Sequence, residues 1–272
     1  MGTLYLVATP IGNLEDMSPR AVRILREAQL IAAEDTRQTQ KLLTHFDIHT
    51  PITSYFEHNK LSKLEAVLGK LQEGDVALVS DAGTPALNDP GYELVRAAVM
   101  GGHRVSPVPG PASPVAALTV SGLPTDAFLY LGYLPRKSTE RKKIIKQVAN
   151  LPYTLVFLET PHRLLDSLED LEAVLGDRQI ALARELTKLH EEIWRGTPGD
   201  ARGYFKSPRG EFVLVVAGKM KETEEKWTEK KLLTAIRREI KAGGSPSAVA
   251  AKLALESGWA RREIYRLTVQ CG

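Results

Sequence analysis

Three glycine- and proline-rich loops, each directly after a short apolar run, carry the clearest chemistry in the chain. Residues 4–7 run into Ala8-Thr9-Pro10-Ile11-Gly12-Asn13, Val76–Val79 into Ser80-Asp81-Ala82-Gly83-Thr84-Pro85, and residues 105–108 into Pro109-Gly110-Pro111-Ala112-Ser113. Glycine lets a backbone come close to a ligand, and proline fixes the shape of a loop. In an open α/β sheet, ligands lie beyond the carboxyl ends of the strands. Held close together, the loops would form a rigid cradle for a nucleotide-like molecule, with a buried-looking Asp81 in its wall. Ordinary strand-to-helix turns have the same composition one at a time. Their recurrence on one side of a βα pattern favours the cradle. The glycines follow neither Gly-x-Gly-x-x-Gly nor a Walker loop ending in Gly-Lys-Ser/Thr, which argues against NAD and ATP.

Positive charge is the second signal. The net charge is only +3, but Arg136, Lys137, Arg141, Lys142, Lys143 and Lys146 are set against Glu140 alone. The segment from Lys221 onward is also basic. Clustered cations are the footprint of a polyanion, because each neutralised phosphate releases counterions. A solvated helix face can look alike; two such patches flanking a nucleotide-like crevice point to RNA. Arg37, Arg163 and Arg184 could grip phosphates bidentately, or pair with neighbouring Glu and Asp.

Composition narrows the rest. A hydrophobic share of 43% and a charged share of 25% fit a globular chain with a substantial core. The single Cys271 rules out a disulfide framework and agrees with a reducing cytosol. His45, His49, His58, His103, His162 and His190 show no metal-ligand spacing, so no metal is expected. No run approaches the ~20 apolar residues of a membrane span, and no signal peptide is visible. The expectation is a soluble, cytoplasmic protein with no membrane partner.

The elements that must position the loops alternate between strand and helix. Ser18-Pro19 starts a helix with an apolar face of Ala21, Val22, Ile24, Leu25 and Ala28. Leu30–Ala33 reads as a strand delivering Glu34-Asp35-Thr36-Arg37 to a loop edge, and 61–71 as a helix. Asp89-Pro90 starts the helix after the second loop, and 112–121 is another, closed by Gly122. This repetition calls for a mainly parallel sheet over residues 1–113. In 114–220, strands at 128–131, 154–158, 179–183, 191–194 and Phe212–Val216 alternate with helices at 139–149 and 161–175. The last two strands are divided only by a short Gly/Pro-containing stretch, which predicts some antiparallel pairing there and so a second α/β domain with a mixed sheet. Residues 219–226 read as a linker. Helices at Glu229–Lys241, 247–256 and 261–269 then make a small helix-turn-helix-like domain within 221–272, or a helical cap on the enzyme or a partner.

Leu4-Tyr5-Leu6-Val7-Ala8-Thr9-Pro10-Ile11-Gly12-Asn13-Leu14, Ala33-Glu34-Asp35-Thr36-Arg37, the 80–85 loop with Asn88-Asp89-Pro90-Gly91, and Pro109-Gly110-Pro111 resemble the tetrapyrrole-methylase superfamily. Within it they are similar to the ribosomal RNA small subunit methyltransferase I branch. Phe157-Leu158-Glu159-Thr160-Pro161-His162-Arg163 and Ala183-Arg184-Glu185-Leu186-Thr187-Lys188 extend the likeness over essentially the whole chain. The resemblance implies two α/β domains with S-adenosylmethionine in the interdomain cleft, a homodimer, no metal, and 2′-O-methylation of a decoding-region cytidine in 16S rRNA of the small ribosomal subunit. It places the cofactor against Pro10, Ser80, Asp81, Ala82, Gly83, Thr84, Pro109, Gly110 and Ser113. Porphyrin-methylating relatives carry a more glycine-rich first loop and a Gly-Gly-Asp-Pro type second loop. Ala8-Thr9-Pro10 and Ser80-Asp81-Ala82-Gly83 depart from both, which argues against a tetrapyrrole substrate.

Methyl transfer from a sulfonium to a ribose hydroxyl asks for alignment of oxygen, carbon and sulfur, and for uptake of one proton. Candidate bases are Asp35, Glu34, Glu159, His162, Glu185 and Lys188, all near predicted strand ends. Each could instead position RNA or hold structure. Arg37, Arg136, Lys137, Arg141, Lys142, Lys143, Arg163 and Arg184 are the candidate RNA contacts. A small-molecule methylase of the same fold would need neither the 136–146 stretch nor the terminal helices. A non-catalytic nucleic-acid module would leave the three loops unexplained.

Overall fold

The computed structural model describes residues 2–56, 60–219 and 226–271. Its chain divides into two compact units, Met1–Gly218 and Lys219–Gly272. Most of the 219–226 stretch, and His58, lie outside the described residues.

The first unit holds two five-stranded sheets. Strands β1 (Thr3–Val7), β2 (Leu30–Ala33), β3 (Ile52–Ser54), β4 (Val76–Val79) and β5 (Arg104–Val108) pair in parallel in the order β3-β2-β4-β1-β5. Alternate residues feed opposite faces, as strand geometry demands. Val76 and Leu78 pack with α3 (Lys60–Glu73) and α4 (Tyr92–Met100), through Leu71 and Leu94. Ala77 and Val79 pack with α1 (Pro19–Glu27) and α2 (Thr36–His45), through Leu25 and Leu43. Ser18 caps α1, its Oγ accepting from Ala21 N–H at 3.1 Å. The strand order sets β4, β1 and β5 side by side, so the loops that follow them become neighbours.

The second sheet is mixed. Strands β6 (Phe128–Tyr133), β7 (Thr154–Glu159), β8 (Ile180–Arg184), β9 (Glu192–Gly196) and β10 (Phe212–Val216) take the order β6-β7-β10-β8-β9. Only β6 and β7 are parallel. One face packs on α6 (Ser138–Val148), α7 (Leu164–Leu175) and α8 (Pro198–Tyr204) through Leu155, Phe157, Leu182 and Leu214. The other packs on α5 (Ser113–Ser121) through Val156, Ala181, Ala183 and Val215. A break at 113/114 would fall inside α5, which packs on this second sheet.

Four local expectations are corrected. β9 and β10 are not neighbours; β8 lies between them, and the intervening stretch forms α8 under a Thr197–Asp200 capping box. The Arg37 loop edge is the first turn of α2, and His45 ends that helix. The helix after the second loop begins at Tyr92 rather than at Asp89, with Gly91 as its cap residue at φ +148°. Asp81 is exposed rather than buried, because it stands at the rim of the loop.

The second unit consists of α9 (Glu229–Lys241), α10 (Pro246–Ser257) and α11 (Arg261–Cys271) around Leu232, Ile236, Val249, Leu253 and Ile264.

Candidate functional site

The three loops meet. Thr9 N–H donates to Gly83 O at 2.9 Å and Gly83 N–H returns a bond to Thr9 O at 3.0 Å. Thr84 Oγ1 donates to Pro111 O at 3.1 Å, tying the second loop to the third. Ala8 N–H donates to Val108 O at 3.2 Å, tying the start of the first loop to the end of β5, from which the third loop leaves. Gly83 holds φ at +82°, a conformation that L side chains rarely adopt. The first loop also meets the second sheet: a Cβ on Gly12 would stand 2.4 Å from Lys188 Cγ. Glu185 and Thr187, on the turn facing it, have φ of +49° and +66°.

Between the loops and the second sheet lies a cavity of about 260 Å³. Ile11, residues 81–84, Ala112 and Ser113 form one side; Tyr130, Tyr133, Leu158, Ala183, Leu186 and Val213 form the other. Glu34, Asp81, Asp89, Glu159 and Glu211 also line it, and among the described residues no Lys or Arg does. A second hollow of about 400 Å³, with Thr9, Pro10, Gln38, Lys41 and Ser80, shares Asp81, Ala82 and Glu211 with the first.

The electrostatics follow from this crowding. Burial raises Glu34 above the ordinary carboxylate range, with repulsion from Asp89 and Asp81 adding to it. Burial likewise raises Asp89, more than a hydrogen bond from Ser80 lowers it. Desolvation pushes the Tyr130 phenol up to about 12, and its buried Oη has no hydrogen-bond partner. Both carboxyls hold a proton more readily than an ordinary exposed carboxylate does.

The candidate bases read from sequence stand differently. Asp35 is the N-cap of α2 and is lowered to about 2, chiefly by the Arg37 side chain, so it is a poor proton acceptor. Glu159 lines the cavity, but its carboxylate is fully buried, accepting from Thr160 N–H at 2.8 Å and Ser167 Oγ at 2.5 Å. Glu185 is lowered by Glu211 N–H ahead of Lys188. Desolvation lowers Lys188 less than bonds to Glu185 (2.9 Å) and Glu211 (3.0 Å) raise it, so it stays a cation. His162 is exposed on a 3-10 turn and does not line the cavity.

Of the residues expected at the cofactor, Asp81, Ala82, Gly83, Thr84 and Ser113 line the cavity, while Pro10 and Ser80 line the adjoining hollow. Pro109 and Gly110 line neither; Gly110 packs on Ala8, where a Cβ would be 3.0 Å from Ala8 Cβ.

Of the basic candidates, Arg141 is corrected. Its Nε donates to Asp170 at 2.6 Å, its side chain is 4% exposed, and it cannot meet a solvent-borne phosphate. Lys142 also pairs with Asp170, at 3.1 Å. Arg163 bonds to Leu134 O and Glu159, and Arg184 to Arg209 O and Glu192. Arg37 forks onto Asp35. Arg136, Lys137 and Lys143 are exposed.

The sequence places no ligand or catalytic role on Asp89, Tyr130, Tyr133 or Glu211. Asp89 was in view within Asn88-Asp89-Pro90-Gly91; the tyrosines come from a strand whose facing no motif marks. Among the described residues no group of His, Cys, Asp and Glu could hold a metal, and no helix is long and apolar enough to cross a membrane.

Comparison with known proteins agrees with this geometry. The family model of tetrapyrrole (corrin/porphyrin) methylases matches residues 3–202. The chain is similar to ribosomal RNA small subunit methyltransferase I of a Synechocystis strain, 47% identical over 99% of this chain and 98% of that protein. The enzyme of that name from Bacillus subtilis is 43% identical over 97% and 93%. Among solved structures it resembles uroporphyrin-III C-methyl transferase from Thermus thermophilus complexed with S-adenyl homocysteine, at a TM-score of 0.55 and 20% identity, covering 80% of this chain and 98% of that one. The fold, the laced loops and these full-length relatives place the chain in the tetrapyrrole methylases, in the ribosomal RNA small subunit methyltransferase I family.

Proposed function

We propose that the protein methylates the 2′-oxygen of a cytidine in the decoding region of 16S rRNA, with S-adenosylmethionine as donor and the small ribosomal subunit as substrate. The observation that carries the donor reading is a cavity lined by Glu34, Asp81 and Asp89, none of them in an ion pair among the described residues, while Glu159 and Glu211, which also line it, pair with Arg163 and Lys188. Such a lining repels phosphate and suits a ligand bearing ammonium and sulfonium charge. The unpartnered Tyr130 hydroxyl offers a hydrogen bond, and Leu158, Ala183, Leu186 and Val213 offer an apolar wall to an adenine ring.

S-adenosylmethionine, when bound, supplies a methyl group already activated for displacement. The chain has to hold donor and acceptor in line, a contribution of up to roughly 7–11 kcal/mol. Gly83 and its laced neighbours fix the floor against which a ligand is aligned. The hydroxyl proton passes to a carboxylate as attack proceeds; Glu34 and Asp89, raised by burial, are the groups in the cavity best tuned to take it. Arg136, Lys137, Lys143 and Lys146 provide an exposed cationic strip for the RNA backbone. Homodimerisation in the cytoplasm belongs to the same reading, and α4 presents exposed Tyr92, Val99 and Met100 on one face for it.

Labelled S-adenosylmethionine and small subunits, followed by nuclease mapping, test this. A label on a ribose, leaving the adjacent phosphodiester resistant to alkali, is the expected result. A label on a base refutes the 2′-oxygen assignment.

A further inference from the structure

One face of the last helix is strongly basic and takes no part in the cavity. α10 ends at Ser257, the chain turns through Gly258 at φ +68°, and α11 starts at Arg261. Ala260 N–H donates to Glu263 Oε2 at 3.1 Å, so α11 carries its own cap. Ile264 and Thr268 face the core of the helical unit. At about 100° per residue, Arg261, Arg262, Tyr265, Arg266 and Val269 share an arc of about 140° on the other side. All five are exposed, Tyr265 by 47%. No carboxylate falls within the arc; Glu263 lies on its flank, occupied by the cap and by Lys226 at 3.8 Å. Among the described residues Arg262 and Arg266 meet no carboxylate within ion-pair distance. Arg261 reaches Ser247 Oγ at 3.3 Å, which sets the first turn of α10 beside the first turn of α11.

We infer that this face of α11 is a second RNA-binding surface, separate from the cationic strip on α6; the inference rests on the reading that the protein acts on RNA. Three guanidinium groups with no carboxylate among them, and Glu263 engaged on the flank, repel one another, and a polyanion relieves that repulsion. Arginine forks match phosphate oxygens bidentately. The Tyr265 ring among them supplies a stacking platform for an unpaired base, the mode in which RNA is commonly recognised. A protein partner would need apolar anchors at the centre of the face, and Val269 at its end is the one aliphatic residue there.

The test uses the full chain, with binding measured to naked small-subunit rRNA and to intact small subunits over a range of salt. Arg262→Ala with Arg266→Ala should weaken binding to both and lower the log–log salt slope by roughly one per lost contact. Tyr265→Ala should weaken binding about fivefold or more with an unchanged slope. The affinity for S-adenosylmethionine and the thermal midpoint should not move in either. Lys70→Ala with Arg104→Ala, near the amino ends of the first sheet's strands, removes equal charge as a control. An equal loss of affinity in that control, or wild-type binding in the α11 variants, overturns the inference. Wild-type binding to naked rRNA with a loss on subunits alone also overturns it, in favour of a ribosomal protein contact. If the wild type itself neither binds nor methylates RNA, the functional reading has failed rather than this surface.

Discussion

Replacing Arg141 by Met distinguishes a basic residue that binds RNA from one that holds the fold. Arg141 and Asp170 are 4% and 5% exposed, joined at 2.6 Å. The same guanidinium donates to Pro135 O and Arg136 O, each at 3.3 Å, and to Asp166 O at 3.3 Å. Removing one partner of a buried pair costs about 3–5 kcal/mol, because the other charge is stranded. Asp170 keeps Lys142 at 3.1 Å and Ser138 Oγ at 2.9 Å, so the lower end, about 3 kcal/mol, is expected. In a unit of this size the melting midpoint should fall by about 6–12 °C. Asp170 is held below the ordinary carboxylate range: burial works upward, and the Lys142, Ser138 and Arg141 bonds outweigh it. A depressed carboxyl stabilises the fold above its unfolded value and ceases to do so as pH falls through the folded value. The gap between wild type and variant should therefore narrow below about pH 4. Urea titrations at several pH values, beside RNA binding at neutral pH, read both effects. A variant with an unchanged midpoint and a reduced RNA salt slope would refute the argument.

Gly83→Val should weaken S-adenosylmethionine binding in calorimetry, since a branched side chain at φ +82° costs about 1–2 kcal/mol in backbone strain alone; unchanged affinity would remove residues 80–85 from the site. Lys143→Ala with Lys146→Ala should lower the RNA salt slope by roughly two and leave donor affinity alone, and an identical slope would show a merely solvated face. Asp89→Asn should weaken donor binding roughly tenfold or more. Because Asp89 and Glu34 are both raised, the wild-type affinity should start to fall on acidification above the ordinary carboxylate range. Affinity constant down to pH 4 would remove both groups from the cation site.

The loops were legible because glycine and proline after short apolar runs state a backbone geometry directly. The basic stretch was legible as charge but not as facing, although the signal was present. Arg141 shares the i, i+4, i+7 stripe with Ile145 and Val148, which is the buried side of α6. Helix α2 was missed because its sequence TRQTQKLLTH buries only Thr39 and Leu43, too little for an apolar period to show. Strand β3 is three half-buried residues with no pattern to read. The acidic wall was legible only in pieces: Asp81, Glu34 and Glu159 stood out singly, but they meet Asp89 and Glu211 only through the strand order of two sheets.

The bonds among the three loops make the floor of the cavity a single plate. Bending one loop alone would break the paired Thr9–Gly83 bonds or the Thr84–Pro111 bond, so the aperture cannot be widened from that side in small steps. Size selection among ligands then falls to the opposite wall, where Tyr130, Leu158 and Ala183 are side chains on strands rather than hydrogen-bonded backbone. Changes of ligand within this architecture are therefore cheapest on the second sheet, and the floor can stay constant while the wall is recast.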